Sequence, residues 1–269
     1  MEEYSVNKKT GVFLTGGGGK GSFEIGFFKA LEELGIKPDV ICGSSAGAVV
    51  GAGATYMNSK ELFECWKNLT LESVFNVDSN KLKDIEGTKR ILRLWKEVID
   101  SCLNEEFLID ISNIRELVYS LLDEEKIRNS KIEYGLTTTV LPDFKMVKVF
   151  KDEMQEGLLL EYVIASLYLP LFRNEKIINN KHYLDIAAFQ KYPFEMLKEK
   201  GCNEIYIVDI VDLPVIKSIL TAKKVFDENT KVHIINMENQ VSILDFSSEQ
   251  AIKNYNNGYE TTIKTLIKK

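Results

Sequence analysis

Apolar positions along the chain switch between two periods. A short apolar run over residues 11–14 stops at a cluster of glycines. Residues 23–34 then place Phe23, Phe27, Ala30, Leu31 and Leu34 at helical spacing, and Gly35 stands where glycine commonly closes a helix. A second short run over 39–42 predicts a strand, and 46–57, built largely of Ala, Gly and Val, predicts another helix. The chain thus opens with a strand–helix–strand–helix unit, which calls for parallel strands and a right-handed crossover. Residues 60–126 are mostly helical in pattern, with Leu62, Trp66, Leu69 and then Ile91, Leu94, Trp95 and Val98 forming apolar stripes between charges. Core packing explains such stripes. Strands are predicted over 134–140 and 146–150, around Pro142-Asp143, and a helix over 158–167 with Pro170 shortly after it. A hairpin at Asn179-Asn180, buried strands over 205–211 and 232–237, and a closing helix over 248–267 complete the pattern.

No internal repeat, low-complexity segment or linker interrupts the 269 residues, so a single α/β domain over 1–269 is expected. A net charge of −6 argues against a nucleic-acid partner, which wants a basic surface. The basic stretch over 253–269 is explained by a solvated helix face. Cys42, Cys65, Cys102 and Cys202 are widely separated and form no C-x-x-C pair, which excludes the common zinc and redox motifs. Cys42 lies in an apolar run and is expected in the core. The start is acidic, residues 12–14 are too short for a signal-peptide core, and no stretch approaches the length of a spanning helix. With unpaired cysteines, this leads to an expected cytoplasmic location.

Two constellations carry chemistry. Gly43-Ser44-Ser45-Ala46-Gly47 matches G-x-S-x-G between a strand and a helix, the setting in which a sharp turn exposes a nucleophilic serine. Small neighbours are required there, and the helix N-terminus beneath Ser45 favours developing negative charge. Gly16-Gly17-Gly18-Gly19-Lys20-Gly21 exposes a run of main-chain N–H groups with no side chains in the way, as an acyl-transfer enzyme needs at its oxyanion. Lys20 adds positive charge beside that loop. Both lie at the C-terminal ends of adjacent parallel strands, where open α/β sheets place their sites.

Alternatives remain at this level. Gly16, Gly18 and Gly21 also satisfy the dinucleotide fingerprint G-x-G-x-x-G, although the second strand ends at Cys42, Gly43 and Ser44 without the ribose-binding acid, and Asp39 precedes it. A P-loop is excluded, since Gly21 follows Lys20 and Leu14 occupies the first glycine position. A catalytic base is needed, and the chain has only two histidines, His182 and His233. His182 is expected on the surface and His233 in a buried strand, yet the order Ser45, Asp209, His233 is that of a Ser-Asp-His triad esterase.

The order and spacing of these motifs resemble the patatin-like phospholipase family, which opens with a strand, a G-G-G-x-[RK]-G loop, a helix, a strand and G-x-S-x-G. Ala165-Ser166 with Pro170 is similar to that family's A-S-x-x-x-P helix end, and Asp185-Ile186-Ala187 stands where its D-G-[GA] motif falls, with Ile186 in place of glycine. Downstream, Gln190 with Pro193, Leu244-Asp245-Phe246 and Gly258-Tyr259 echo the family further. The resemblance implies a three-layer α/β/α fold around a central, mostly parallel sheet, and the second reading of the helical pattern over 60–126, beside core packing, is a cap-like insert over an acyl-chain channel. It further implies a Ser45–Asp185 dyad without histidine, a lipid ester as substrate, transient contact with a membrane surface, and neither metal nor cofactor. The six loop residues Gly16 to Gly21 would then form the oxyanion cradle and Gly43 and Gly47 the elbow. A member that has kept the fold without catalysis is the remaining alternative, and Ile186, a β-branched residue where glycine could take positive φ, is its motive.

Overall fold

The computed structural model describes residues 8–75, 111–169, 172, 175–185, 192–211, 215–238 and 241–267. Expectations that fall on the stripe over 91–98, Cys102, Pro170, Ile186, Ala187 and Gln190 lie outside the described residues.

The opening unit is β1 (Thr10–Leu14), α1 (Gly21–Glu33), β2 (Val40–Ser44) and α2 (Ala46–Ala54), with a single 3-10 turn at Gly18–Lys20 between β1 and α1. Helices α3 (Ser59–Trp66), α4 (Leu71–Phe75), α5 (Ser112–Leu121) and α6 (Glu124–Asn129) follow. Then come β3 (Glu133–Leu141), β4 (Lys145–Phe150), α7 (Leu159–Leu167), β5 (His182–Leu184), α8 (Glu195–Glu199), β6 (Glu204–Asp209), α9 (Val215–Val225), β7 (Lys231–Asn236) and α10 (Ser248–Ile267). Among the described residues the strands form one sheet of order β4-β3-β2-β1-β6-β7, with β5 also on β3. Neighbours from β3 through β7 run parallel, while β4 and β5 are antiparallel to β3.

Side chains alternate across the sheet with the period of two that strands impose. Val12, Leu14, Ile41, Tyr206 and Val208 point into a large apolar core with residues of α1, α2, α3, α5 and α7. Phe13, Val40, Cys42, Ile205 and Ile207 point to the other face, against Met196 and Leu197 of α8, Ala222 of α9 and Phe226 just after it. The result is the three-layer α/β/α sandwich the resemblance implied, with Cys42 fully buried.

Helix α10 packs along α1 at unusually short range. A Cβ at Gly26 would lie 2.0 Å from the Tyr255 carbonyl oxygen, and one at Gly258 would lie 2.0 Å from that of Phe23. Side chains at either position would push the helices apart. Helix α3 begins where Asn58 accepts from the Glu61 amide at 2.9 Å and Glu61 accepts from the Asn58 amide at 3.0 Å, a reciprocal cap.

The detail that positions the site is the unequal length of neighbouring strands. β2 ends at Ser44, opposite Thr137, whereas β3 continues to Leu141. The far edge of β3 is already taken by β4, which pairs with residues 135–140. The edge that β2 vacates is filled by β5, running the opposite way, with Thr139 opposite Leu184. Before it, Asn179 and Asn180 adopt φ of 49° and 60° and make the tight turn that their sequence suggested.

Candidate active site

Ser45 sits between β2 and α2 with φ 55° and ψ −131°, a sparsely populated conformation for a residue with a side chain. The crowding around it explains the small neighbours. A Cβ at Gly43 would lie 2.3 Å from the Gly47 carbonyl oxygen, and one at Gly47 would lie 2.7 Å from that of Leu14. Larger residues at Gly43 or Gly47 would therefore unseat the turn. The strain is held by a specific bond: the Ser45 amide donates to Ser166 Oγ at 2.8 Å, and Ser166 Oγ donates to the Thr137 carbonyl at 2.8 Å.

Asp185 is nearly fully buried, at 1 % exposure. Its placement follows from register. Ser44 pairs with Thr137 and Leu184 pairs with Thr139, on the same edge of β3. One step beyond each pair, Ser45 and Asp185 approach the single intervening position, Thr138, from opposite directions. Thr138 Oγ1 lies 2.7 Å from the Ala165 carbonyl and 3.1 Å from the Leu184 carbonyl, which ties the arriving β5 to the end of α7. The Asp185 amide donates to the Tyr168 carbonyl at 2.8 Å. The segment at the end of α7 therefore grips both chains, Ser45 through Ser166 and Asp185 through Tyr168.

The glycine loop leaves β1 directly beside the elbow. Gly16 has φ +70°, and a Cβ there would meet the Ser44 carbonyl oxygen at 2.1 Å and the Gly47 nitrogen at 2.9 Å. Only glycine fits this contact. The Gly16 amide donates to Glu24 Oε1 at 2.9 Å, the Gly19 amide to the Ile243 carbonyl at 2.8 Å, and the Lys20 amide to the Gly17 carbonyl at 3.2 Å. Among the described residues, no protein acceptor takes the amides of Gly17 and Gly18. Lys20 is 1 % exposed, and its ammonium reaches the Ile210 carbonyl at 3.4 Å. Gly21 begins α1 with the ring of Trp66 filling the space a side chain would need.

Sequence reasoning missed the group behind the loop. Glu24 in the first turn of α1 is fully buried. Burial pushes its carboxyl up to about 8, against the Gly16 hydrogen bond that lowers it and with help from the nearby charge of Asp209. Tyr192 lies in the same interior, its phenol pushed up by burial and by Asp185, Asp209 and Glu24. A glutamate on a helix otherwise reads as solvent-facing, and the available signal was its setting among Phe23, Ile25, Phe27 and Phe28, all buried.

The alternative triad is not assembled. His233 pairs through β7 with Tyr206 on β6, stacks on that ring with centroids 4.7 Å apart, and lies 3.1 Å from Glu204 Oε1 by its Nε2. By register, Ser44 is level with Asn236, three residues further along β7. Three strand spacings across and three residues down place His233 roughly 17 Å from the elbow. Asp209 ends β6 and accepts from the Val211 amide at 3.3 Å. The dinucleotide alternative loses its acid as well, since Asp39 accepts from the Thr10 amide at 2.7 Å, at the opposite end of the strands. His182 is half-buried, its Nδ1 3.0 Å from the Glu175 carbonyl. Among the described residues no cluster of His, Cys, Asp and Glu could hold a metal ion, and no helix is long and apolar enough to cross a membrane.

Comparisons with known proteins agree with this architecture. The chain is 24 % identical over 204 residues to lysophospholipase NTE1 of Scheffersomyces stipitis, covering 76 % of this chain and 12 % of that protein. It is 24 % identical over 209 residues to lysophospholipase NTE1 of Saccharomyces cerevisiae, covering 74 % of this chain and 11 % of that protein. The chain thus spans about one eighth of the length of these curated relatives. The crystal structure of VipD from Legionella pneumophila superposes over 97 % of this chain and 67 % of its own, with TM-score 0.51 and 15 % identity. The model of the family described as patatin-like phospholipase matches residues 12–198, from the core of β1 through the glycine loop, the elbow and Asp185 to α8. By that match the chain belongs to the patatin-like phospholipase family.

Proposed function

We propose that this protein is a serine acyl hydrolase that cleaves fatty-acyl esters of lipids with a Ser45–Asp185 dyad. The observation that carries the proposal is the register of β2 and β5 on β3, which aims Ser45 and Asp185 at the same position, Thr138. Asp185 accepts the Ser45 hydroxyl proton as Ser45 Oγ attacks the ester carbonyl carbon. The carbonyl oxygen takes the negative charge and is met by the amides of Gly17 and Gly18, the loop donors not engaged by a described protein acceptor. Collapse of the intermediate breaks the bond to the leaving alkoxide, which receives the proton from Asp185. Water, deprotonated by the same carboxylate, then releases the fatty acid and restores the Ser45 hydroxyl.

Gly16, Gly19, Lys20 and Gly21 serve this cradle from behind: Gly16 and Gly19 spend their amides on shaping the loop, Lys20 anchors it inward, and Gly21 seats α1 against Trp66. The lysophospholipase names of the relatives favour a lipid ester over a water-soluble one. A substrate presented in a lipid surface entails transient contact with that surface.

The test is covalent capture by a fluorophosphonate. Wild type should carry one adduct on Ser45, and Ser45→Ala none. An adduct that persists in Ser45→Ala, or a wild type that is inert toward both the probe and p-nitrophenyl esters, overturns the proposal.

A further inference from the structure

One buried ionisable side chain touches the loop and has no part in the dyad chemistry. Glu24 Oε1 takes the amide of Gly16 at 2.9 Å, while its Oε2 is buried without a protein partner among the described residues. Gly16 is the pivot of the site: its backbone abuts Ser44 and Gly47 at the elbow on one side and leads into Gly17 and Gly18 on the other. One carboxyl group therefore holds the residue that joins the nucleophile turn to Gly17 and Gly18.

We propose that Glu24 is a positioning residue for the oxyanion loop, acting in its neutral form, and that its ionisation switches the loop off; the proposal rests on the acyl-hydrolase reading of Ser45. Neutral Glu24 holds Gly16 and adds no charge behind the loop. Ionised Glu24 keeps the bond but sets a negative charge one residue from the amides that must receive an oxyanion, in an interior where charges are weakly screened. Of the ionisable groups around it, Asp209 reinforces the neutral form. Asp209 at the end of β6 raises its affinity for the proton, and Tyr192 is itself held neutral there. Lys20, one helical turn before Glu24, directs its ammonium to the Ile210 carbonyl. Burial keeps Glu24 protonated at neutral pH, since its carboxyl is pushed up to about 8.

The experiment compares wild type, Glu24→Gln and Glu24→Ala with p-nitrophenyl butyrate between pH 6 and 9.5. Its leaving group needs no proton, so the alkaline limb reports the enzyme. For wild type, kcat should fall about tenfold between pH 7 and 9, as a group near 8 loses its proton. Glu24→Gln preserves the acceptor and stays neutral, so kcat at pH 7 should remain within about threefold of wild type and the alkaline fall should vanish. Glu24→Ala should lose about tenfold in kcat at pH 7 with KM nearly unchanged. An alkaline fall that persists in Glu24→Gln, or a Glu24→Ala enzyme with wild-type kcat, overturns the proposal and leaves the Ser45 reading intact. The Gly16 amide resonance supplies a readout that needs no turnover. It should shift with a midpoint near 8 in wild type and stay fixed in Glu24→Gln. A resonance that behaves alike in both overturns the coupling, whereas a shift in an inert wild type overturns the hydrolase reading alone.

Discussion

Replacing Ser166 by alanine removes one oxygen and tests how the elbow is held. Ser166 is fully buried, and its Oγ accepts from the Ser45 amide and donates to the Thr137 carbonyl, both at 2.8 Å. Each bond is worth about 1 kcal/mol net, and leaving the partners unsatisfied raises the loss to about 2–4 kcal/mol. Unfolding entropy of about 2.1 cal/mol/K per residue amounts to roughly 0.56 kcal/mol/K for a chain of this size. The midpoint of thermal unfolding should therefore drop by about 4–7 °C. The catalytic effect is separate. The conformation of Ser45 costs about 1–3 kcal/mol, and without its anchor the residue relaxes, so kcat should fall roughly tenfold beyond any loss of folded protein. Differential scanning fluorimetry and ester hydrolysis, measured well below the melting range, give the two numbers. A midpoint within 1 °C of wild type together with unchanged kcat would refute the claim that this bond holds the elbow.

Three further outcomes are expected. Glu24 is protonated in the folded protein up to about 8 and in the unfolded chain only to about 4.5. Its contribution is therefore most favourable below the lower value and is lost as pH rises to the higher one, by about 5 kcal/mol. Urea titrations at pH 5 and 8.5 should show wild type losing about 4 kcal/mol of this relative to Glu24→Gln, and parallel stabilities in the two proteins would refute it. Gly258→Ala inserts a methyl group 2.0 Å from the Phe23 carbonyl oxygen and should cost about 3 kcal/mol in urea unfolding; an unchanged midpoint would show that α1 and α10 are not locked at that crossing. His233→Ala should retain kcat within about twofold while losing about 1–3 kcal/mol of stability, because it strips Glu204 of a buried partner; loss of turnover in a folded variant would reinstate the triad.

Local pattern carried much of this architecture. The β1–loop–α1–β2–elbow–α2 unit was legible because glycines mark each change of period, and the helix over 248–267 because twenty residues of periodic pattern leave little ambiguity. Short α8 and amphipathic α9 were not read: α8 offers only five residues before its closing Gly201, too few for a period, and α9 ends without a distinct stop signal. The order of strands is a tertiary matter: nothing local says that β6, nearly two hundred residues on, pairs with β1 through Leu14 and Val208. Asp185 was named from the resemblance, but its position depends on β3 outrunning β2, which no local pattern reveals. The interior places of Lys20 and Glu24 were not legible for the same reason. Charged residues are placed at the surface by default, and only the packing of Ile210, Asp209 and Tyr192 around them shows that these two are interior.

The central claim is that the Asp185 carboxylate serves Ser45, and the steady-state kinetics of Asp185→Asn test it most directly. The substitution preserves shape and removes only the base. The account predicts a folded protein whose kcat on p-nitrophenyl butyrate is lower by about 10²–10⁴-fold, at a time when His233→Ala still turns over normally. Turnover by Asp185→Asn at the wild-type rate would contradict it.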